Sequence, residues 1–164
     1  MRTRRILIIW VVLVLALPTA SPAWSNGHIQ LTSKAEIEEE VFNAEGKKEV
    51  RRLPANKVVP GSEVIFTTIY ENISKEKAEK AVITNPVPEH MVYSENSAGG
   101  RGTQITFSID DGKSFNIPAK LFVFDAAGRK FPARPRDYTH IRWEMRNPLP
   151  AGAKGEVSFR AILK

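Results

Sequence analysis

Alternation of apolar and polar residues is the feature that most limits what this chain can fold into. Near the C-terminus the repeating apolar residues are Val157, Phe159, Ala161 and Leu163, and an earlier segment repeats one face as Val64, Phe66, Thr68 and Tyr70. A period of two is that of a β-strand with one face in a core, and a helix would need a period near 3.6. The alternation therefore predicts antiparallel sheets that each bury one face.

Shorter segments of the same kind follow one another at the spacing of an all-β sandwich: KAVITN, MVYSE, TQITFSID, KLFVFD and THIRWEM. Turn residues lie between these segments or at their ends: Pro60, Gly61, Asn72, Asn85, Pro86, Pro88 and Gly152. The prolines have no N–H to donate, which does not break a sheet ladder at such positions. We predict one immunoglobulin-like antiparallel β-sandwich over residues 58–164, with Trp143 packed in its core.

Residues 24–57 are predicted to form a hairpin. The segment SKAEIEEEVFN has a composition that suits a helix, but the apolar residues around it also alternate, and NAEGK supplies a glycine-containing turn before KEVRRLP. We favour a long charged strand that returns through this turn. The sequence leaves open whether the hairpin belongs to the sandwich or extends from it.

Residues 1–23 have the order of a secretory signal peptide. Three arginines precede an apolar run from Ile6 to Leu17, and Pro18 begins a stretch of small residues that includes Ser21 and Ala23. We expect cleavage before Trp24 and export to the periplasm or the cell surface. A retained N-terminal anchor is the alternative, although the run is shorter than the roughly 20 residues of a spanning helix.

Charge and cysteine content narrow the function classes. The net charge is +6, and removal of the leader takes three basic residues and no acidic ones, which leaves +3. A small excess of this kind does not indicate nucleic acid as a partner. The chain contains no cysteine, so an exported form has no disulfides and depends on its hydrophobic core.

Three stretches together resemble the bacterial conserved repeat domain, the eleventh domain of unknown function. They are VVPGSEVIFTTIYEN, AEKAVITNPVPEHMVYSENSA, and IRWEM followed by LPAGAKGEVSFRAIL. The resemblance covers Val58 to Lys164 and implies an immunoglobulin-like sandwich in exported or surface proteins of bacteria. Asn85 stands where many members have Asp, and the LPAG turn carries an additional residue between its proline and glycine. The family is usually found as tandem repeats, whereas this chain has one copy.

The stretch FSIDDGKSF resembles the sialidase Asp box. In that motif the acidic side chain caps its own tight turn, and Asp110, Asp111 and Gly112 form a turn signal without any ligand. A sialidase would require a propeller of several such units and a longer chain. Two adjacent carboxylates also offer few ligands for calcium. We therefore predict a structural turn.

No pattern of catalytic or metal-binding residues stands out. His28, His90 and His140 are far apart in sequence, and without cysteine the zinc signatures are absent. No nucleophile elbow, phosphate-binding loop or HExxH helix is present either. We predict neither enzymatic activity nor a metal or other cofactor; an unrecognised hydrolase is the remaining alternative, and it would require a pocket with convergent polar groups.

The segment GRKFPARPRDY is the most suggestive for binding. Arg129, Lys130, Arg134 and Arg136 surround Phe131 and two prolines. A stiff, basic, aromatic loop of this kind suits a polyanion, although most such segments are solvated connections.

Our leading hypothesis is a non-enzymatic structural or protein-interaction module of the bacterial envelope, with an envelope protein as partner and at most peripheral membrane contact. The alternative is a binding module for an anionic envelope glycan or lipid through loop 129–136. Its binding would weaken steeply with salt.

Overall fold

The computed structural model describes residues 29–164, so the signal peptide expected at 1–23 lies outside its range. All strand pairings in this part of the chain are antiparallel. The strands are β1 (Ile29–Phe42), β2 (Lys48–Pro54), β3 (Glu63–Asn72), β4 (Val82–Pro86), β5 (Met91–Tyr93), β6 (Gly99–Gly100), β7 (Thr103–Ser108), β8 (Phe122–Phe124), β9 (Lys130–Pro132), β10 (His140–Met145) and β11 (Lys154–Leu163). Two 3₁₀ turns, Pro118–Lys120 and Pro135–Asp137, flank the β8–β9 hairpin.

Two sheets of unequal width pack face to face. The larger has the order β2-β1-β3-β11-β5, with β6 also paired to β11, and the smaller has the order β4-β10-β7. The antiparallel β-sandwich predicted from alternation is confirmed. The layers are those of an immunoglobulin-like sandwich, but the strand order is distinctive. The last strand, β11, pairs with β3 in the larger sheet, and β10 pairs with β7 instead of with the last strand.

The core lies between the sheets and is rich in aromatic rings. Trp143 and Ile141, which alternate with half-buried positions along β10, are completely buried. Trp143 faces Phe159 of β11, with ring centroids 6.3 Å apart. At one end of the core Tyr138 stacks on Phe107, with centroids at 4.6 Å. Trp143 therefore occupies the inter-sheet position predicted for it.

The middle of β3 is buried on both of its faces. The predicted inward face of β3 packs in the core, but Ile65 on the opposite face is only 3% exposed. Arg160 lies directly opposite Ile65 in the register and reaches across β3 to pair with Glu38 at 3.0 Å. Arg160 also pairs with Glu63 at 3.0 Å, so a bridge of charged side chains covers this part of the outer surface.

The N-terminal hairpin is partly in the sandwich and partly outside it. Residues 29–36 of β1 pair with β3, whereas residues 36–42 pair with β2. Asn43 closes the turn by accepting hydrogen bonds from the N–H groups of Glu45 and Lys47. We call residues 37–53, the two-stranded ribbon that extends past β3, the arm. The sequence left open whether the hairpin belongs to the sandwich or extends from it. Its first part belongs to the sandwich, and the arm extends from it.

Candidate functional site

The unequal widths of the two sheets leave one side of the sandwich open. Beyond β4 the smaller sheet ends, while the larger sheet continues into β1 and β2. A cleft of about 330 Å³ lies there, which we call the edge cleft. Its lining includes Ser33, Ala35, Phe66, Asn85, Pro86, Pro88 and Phe159. Leu31, on the same face of β1, is 51% exposed.

Polar side chains connect the two sheets at the floor of the edge cleft. Asn85 donates from Nδ2 to Oγ1 of Thr68 at 2.7 Å, and the hydroxyls of Thr68 and Ser33 lie 3.1 Å apart. This chain of contacts runs from β4 through β3 to β1. It holds β1 in place relative to the smaller sheet although no strand of that sheet covers it.

The backbone of β1 presents unpaired groups at the open side. The carbonyl of Ala35 accepts from the N–H of Ala55 on the β2 side, away from β3. Because backbone groups alternate between the two sides of an antiparallel strand, those of Leu31 and Ser33 point to this side too. β2 pairs only with residues 36–42, so in residues 29–164 the edge at Leu31 and Ser33 has no strand beside it.

The edges formed by β4 and β2 carry features that discourage pairing, and the β1 edge carries fewer. β4 ends at Pro86, which has no N–H to donate, and β2 carries Lys48, Arg51 and Arg52 before it ends at Pro54. Proline and charge are the usual means by which proteins block edge-to-edge association. Residues 29–35 of β1 contain a single charged residue, Lys34, and no proline.

The Asp-box-like stretch is a turn, as its pattern predicts. Asp110 accepts from the Ser108 hydroxyl at 2.7 Å and from the N–H and hydroxyl of Ser114 at 2.9 and 2.6 Å. These hydrogen bonds, that of Ser108 foremost, hold the pKa of Asp110 far below its usual range. Asp111 and Gly112 adopt positive φ angles of 59° and 81° in the turn. The carboxylate of Asp110 is thus occupied by its own loop.

Other predicted turn residues close the ends of strands. Asn72 is completely buried and donates to the carbonyls of Glu76, Leu149 and Pro150. Gly152 donates its N–H to the carbonyl of Asn72 from a φ of +71°. At the other end of β3, the turn at Pro60 and Gly61 is tied to the last strand by the N–H of Gly61, which donates to Leu163. Asn85, Pro86 and Pro88 instead line the edge cleft.

The structure divides the predicted basic loop into two pairs. Arg129 pairs with Asp125 at 2.7 Å and lies over the ring of Phe131, and Lys130 lies over the ring of Phe122 at 3.8 Å from its centroid. These two side chains are engaged within the β8–β9 hairpin. The predicted set of four basic residues is therefore not one continuous free surface.

Arg134 and Arg136 remain on the exposed side, in the 3₁₀ turn that follows the hairpin. With Phe124, Phe131 and Asp137 they line a second concavity of about 330 Å³, which we call the arginine hollow. Asp137 accepts from the backbone N–H of Arg134 at 2.8 Å and so fixes the turn that carries both guanidinium groups. The sequence did not predict that Phe124, Asp125 and Asp137 line this hollow, because their positions depend on how the hairpin folds back on the turn.

Among residues 29–164 no three His, Cys, Asp or Glu side chains are grouped as metal ligands, and His28 lies outside that range. None of the helices in the described part is long and apolar enough to cross a bilayer.

No protein-family model, curated protein or solved structure matches this chain. The resemblance to the conserved repeat domain stays a prediction.

The residues of the edge cleft were largely missed by sequence reasoning. Ser33 and Ala35 read as part of a charged strand, and Phe66 and Phe159 read as core. The only usable signal was the low charge of residues 29–33, since edge strands are usually more protected than that.

Proposed function

We propose that this chain is an exported, non-enzymatic protein-interaction module that binds an extended segment of another protein by strand addition to β1. The observation that carries the proposal is the β1 edge, where Leu31 and Ser33 direct backbone groups outward beside the edge cleft. Proteins use such edges to capture extended peptides, because the main chain supplies affinity and side-chain pockets supply specificity.

The edge cleft determines what kind of segment would bind. Alternate side chains of an added strand would point into the cleft, where they meet the apolar surfaces of Phe66, Pro86 and Pro88. The other side chains would lie beside Gln30, Thr32 and Lys34 on the polar outer surface. The expected partner segment therefore alternates apolar and polar residues. Export, expected from the N-terminal sequence, makes an envelope protein the proposed source of this segment.

The proposal is tested by crosslinking followed by a backbone substitution. A photo-crosslinking amino acid at Leu31, and another at the exposed Lys57 as a control position, would be used in cells to capture and sequence the bound segment. A synthetic peptide of that segment is then titrated with the purified protein. We expect Ser33→Pro to weaken peptide binding by about tenfold or more, because it removes an outward N–H from the edge without removing a β1–β3 hydrogen bond.

Ser33→Ala is the matched control, since it removes the hydroxyl that contacts Thr68 but keeps the N–H. We expect its peptide affinity to stay within about twofold of the unsubstituted protein. Circular dichroism would check that both variants are folded. Equal affinity of Ser33→Pro and Ser33→Ala, or equal crosslinking at Leu31 and Lys57, would contradict strand addition at this edge.

A further inference from the structure

The arginine hollow lies on different elements from the edge cleft, and what it binds is a separate question. Its walls come from the β8–β9 hairpin and from the 3₁₀ turn Pro135–Asp137. Phe124 is 67% exposed and Phe131 40% exposed. Two rings that are this accessible are not used for packing in the core, and they lie beside two guanidinium groups.

The charges around the hollow leave the guanidinium groups available. Asp125 is bound by the side chain of Arg129 and by the backbone N–H groups of Ala127 and Arg129. Asp137 is bound by the N–H of Arg134, and its distance to Nε of Arg136 is 3.9 Å, at the limit of an ion pair. Within residues 29–164 no carboxylate lies within ion-pair distance of Arg134. The hairpin and turn together carry four basic side chains and two carboxylates.

The chemistry of these side chains indicates a class of ligand. A guanidinium group binds a carboxylate or a phosphate through two parallel hydrogen bonds, so this pair of arginines suits an anionic group. The face of a phenylalanine ring is electron-rich, so it attracts the weakly positive C–H bonds on one side of a sugar ring. A concavity of about 330 Å³ is at the small end of ligand pockets, which suits a single unit of a polymer better than a large ligand.

We infer that the arginine hollow binds a carboxylated sugar unit of an anionic glycan, with Arg134 and Arg136 on the carboxylate and Phe124 against the sugar ring. Phe131, with Pro132, forms part of a concave wall. A lipid surface is bound by an apolar face laid flat on it, whereas these rings line a concavity, so the geometry favours a glycan over a lipid surface. This inference does not depend on strand addition at β1.

The test compares one polymer in two charge states. The purified protein is titrated by calorimetry with oligogalacturonate and with its methyl ester, which keeps the sugar backbone and removes the negative charge. We expect binding of the acid form only, and weakening of that binding as salt increases. Arg134→Ala with Arg136→Ala should lower affinity by about tenfold or more, and Phe124→Ala by about fivefold.

Matched variants show whether a loss of binding comes from the arginine hollow or from a general loss of positive charge or exposed apolar surface. Lys57→Ala with Lys75→Ala removes the same charge from exposed positions in other loops, and Phe42→Ala removes a phenylalanine that is 70% exposed on the arm. Both should bind the acid form as the unsubstituted protein does. Equal binding of acid and ester, or equal loss in the two double variants, would overturn the inference. Binding to vesicles that contain anionic phospholipid, without binding to oligogalacturonate, would overturn it in favour of a membrane surface.

Discussion

At the scale of single residues, the side chain of Asn72 makes five hydrogen bonds. Its amide nitrogen donates to three backbone carbonyls that belong to two separate loops, and its oxygen accepts from the N–H and hydroxyl of Ser74. We expect Asn72→Ala to lower the free energy of unfolding by about 3 kcal/mol, because three carbonyls in a partly to fully buried site each lose a donor. Urea denaturation measures this change.

Two further variants show whether hydrogen-bond donation is the cause. Asn72→Asp keeps the shape of the side chain, but an ionised carboxylate donates no hydrogen bond, so it should destabilise at least as much as alanine does. Asn56→Ala changes an exposed asparagine and should alter the free energy of unfolding by less than about 0.5 kcal/mol. A stable Asn72→Asp variant would show that donation to the carbonyls is unimportant.

At the scale of an element, the loop after β7 is organised around Asp110. The loop is closed by a bridge between Phe107 and Asn116, and it places the ring of Phe115 3.5 Å from the guanidinium carbon of Arg142. The Asp-box pattern therefore serves to cover the outer surface of the smaller sheet. Its stability rests on hydrogen bonds that only the ionised carboxylate accepts in full.

The loop is expected to make stability depend on pH. The pKa of Asp110 is lowered in the folded state by the hydrogen bonds from Ser108 and Ser114, so its contribution is present above the ordinary pKa of 3.8 and is lost as pH falls through and below that value. The difference in thermal stability between the unsubstituted protein and Asp110→Asn should therefore be largest at neutral pH and shrink between about pH 5 and pH 2. A difference that stays constant over this range would contradict the assigned hydrogen bonds.

At the scale of the whole molecule, the arm is joined to the sandwich by β1 and by the bridge of charged side chains from Arg160. Arg160 pairs with Glu38 on the arm and with Glu63 on β3, and these pairs raise the pKa of Arg160 and lower that of Glu38. Arg160→Met keeps an apolar stem over Ile65 and removes the pairs. We expect the free energy of unfolding to fall by less than about 1 kcal/mol, because exposed ion pairs contribute little.

In Arg160→Met, amide hydrogen exchange in the arm should change more than the global free energy of unfolding. Hydrogen exchange measured by mass spectrometry should be faster in peptides from the arm in Arg160→Met and unchanged in β10. Lys154→Met is the matched control, because it breaks a surface pair with Glu71 between β11 and β3 and leaves the arm untouched. Arm exchange that is the same in both variants would show that Arg160 does not hold the arm.

Several features of the fold were predictable because the signal lies in neighbouring residues. The strand alternation that places Trp143 inward, the glycine turn of the hairpin, and the cap at Asp110 all depend on residues a few positions apart. The arginine hollow was half predictable. Its basic residues are adjacent in sequence, but the ion pair between Arg129 and Asp125 and the position of Phe124 appear only in the folded hairpin.

The sequence by itself determined that the chain forms antiparallel strands with one buried face. Alternate side chains of a strand point to opposite faces, so the apolar residues within a short stretch already show which face is buried. Only the tertiary structure decided which strands are neighbours. Phe159 of the last strand pairs with Phe66 of β3, and this choice depends on competition among all the strands for partners. On the other side of β3 lies β1, which β2 covers only at residues 36–42. This arrangement leaves the edge of β1 open beside the edge cleft, which no stretch of neighbouring residues encodes.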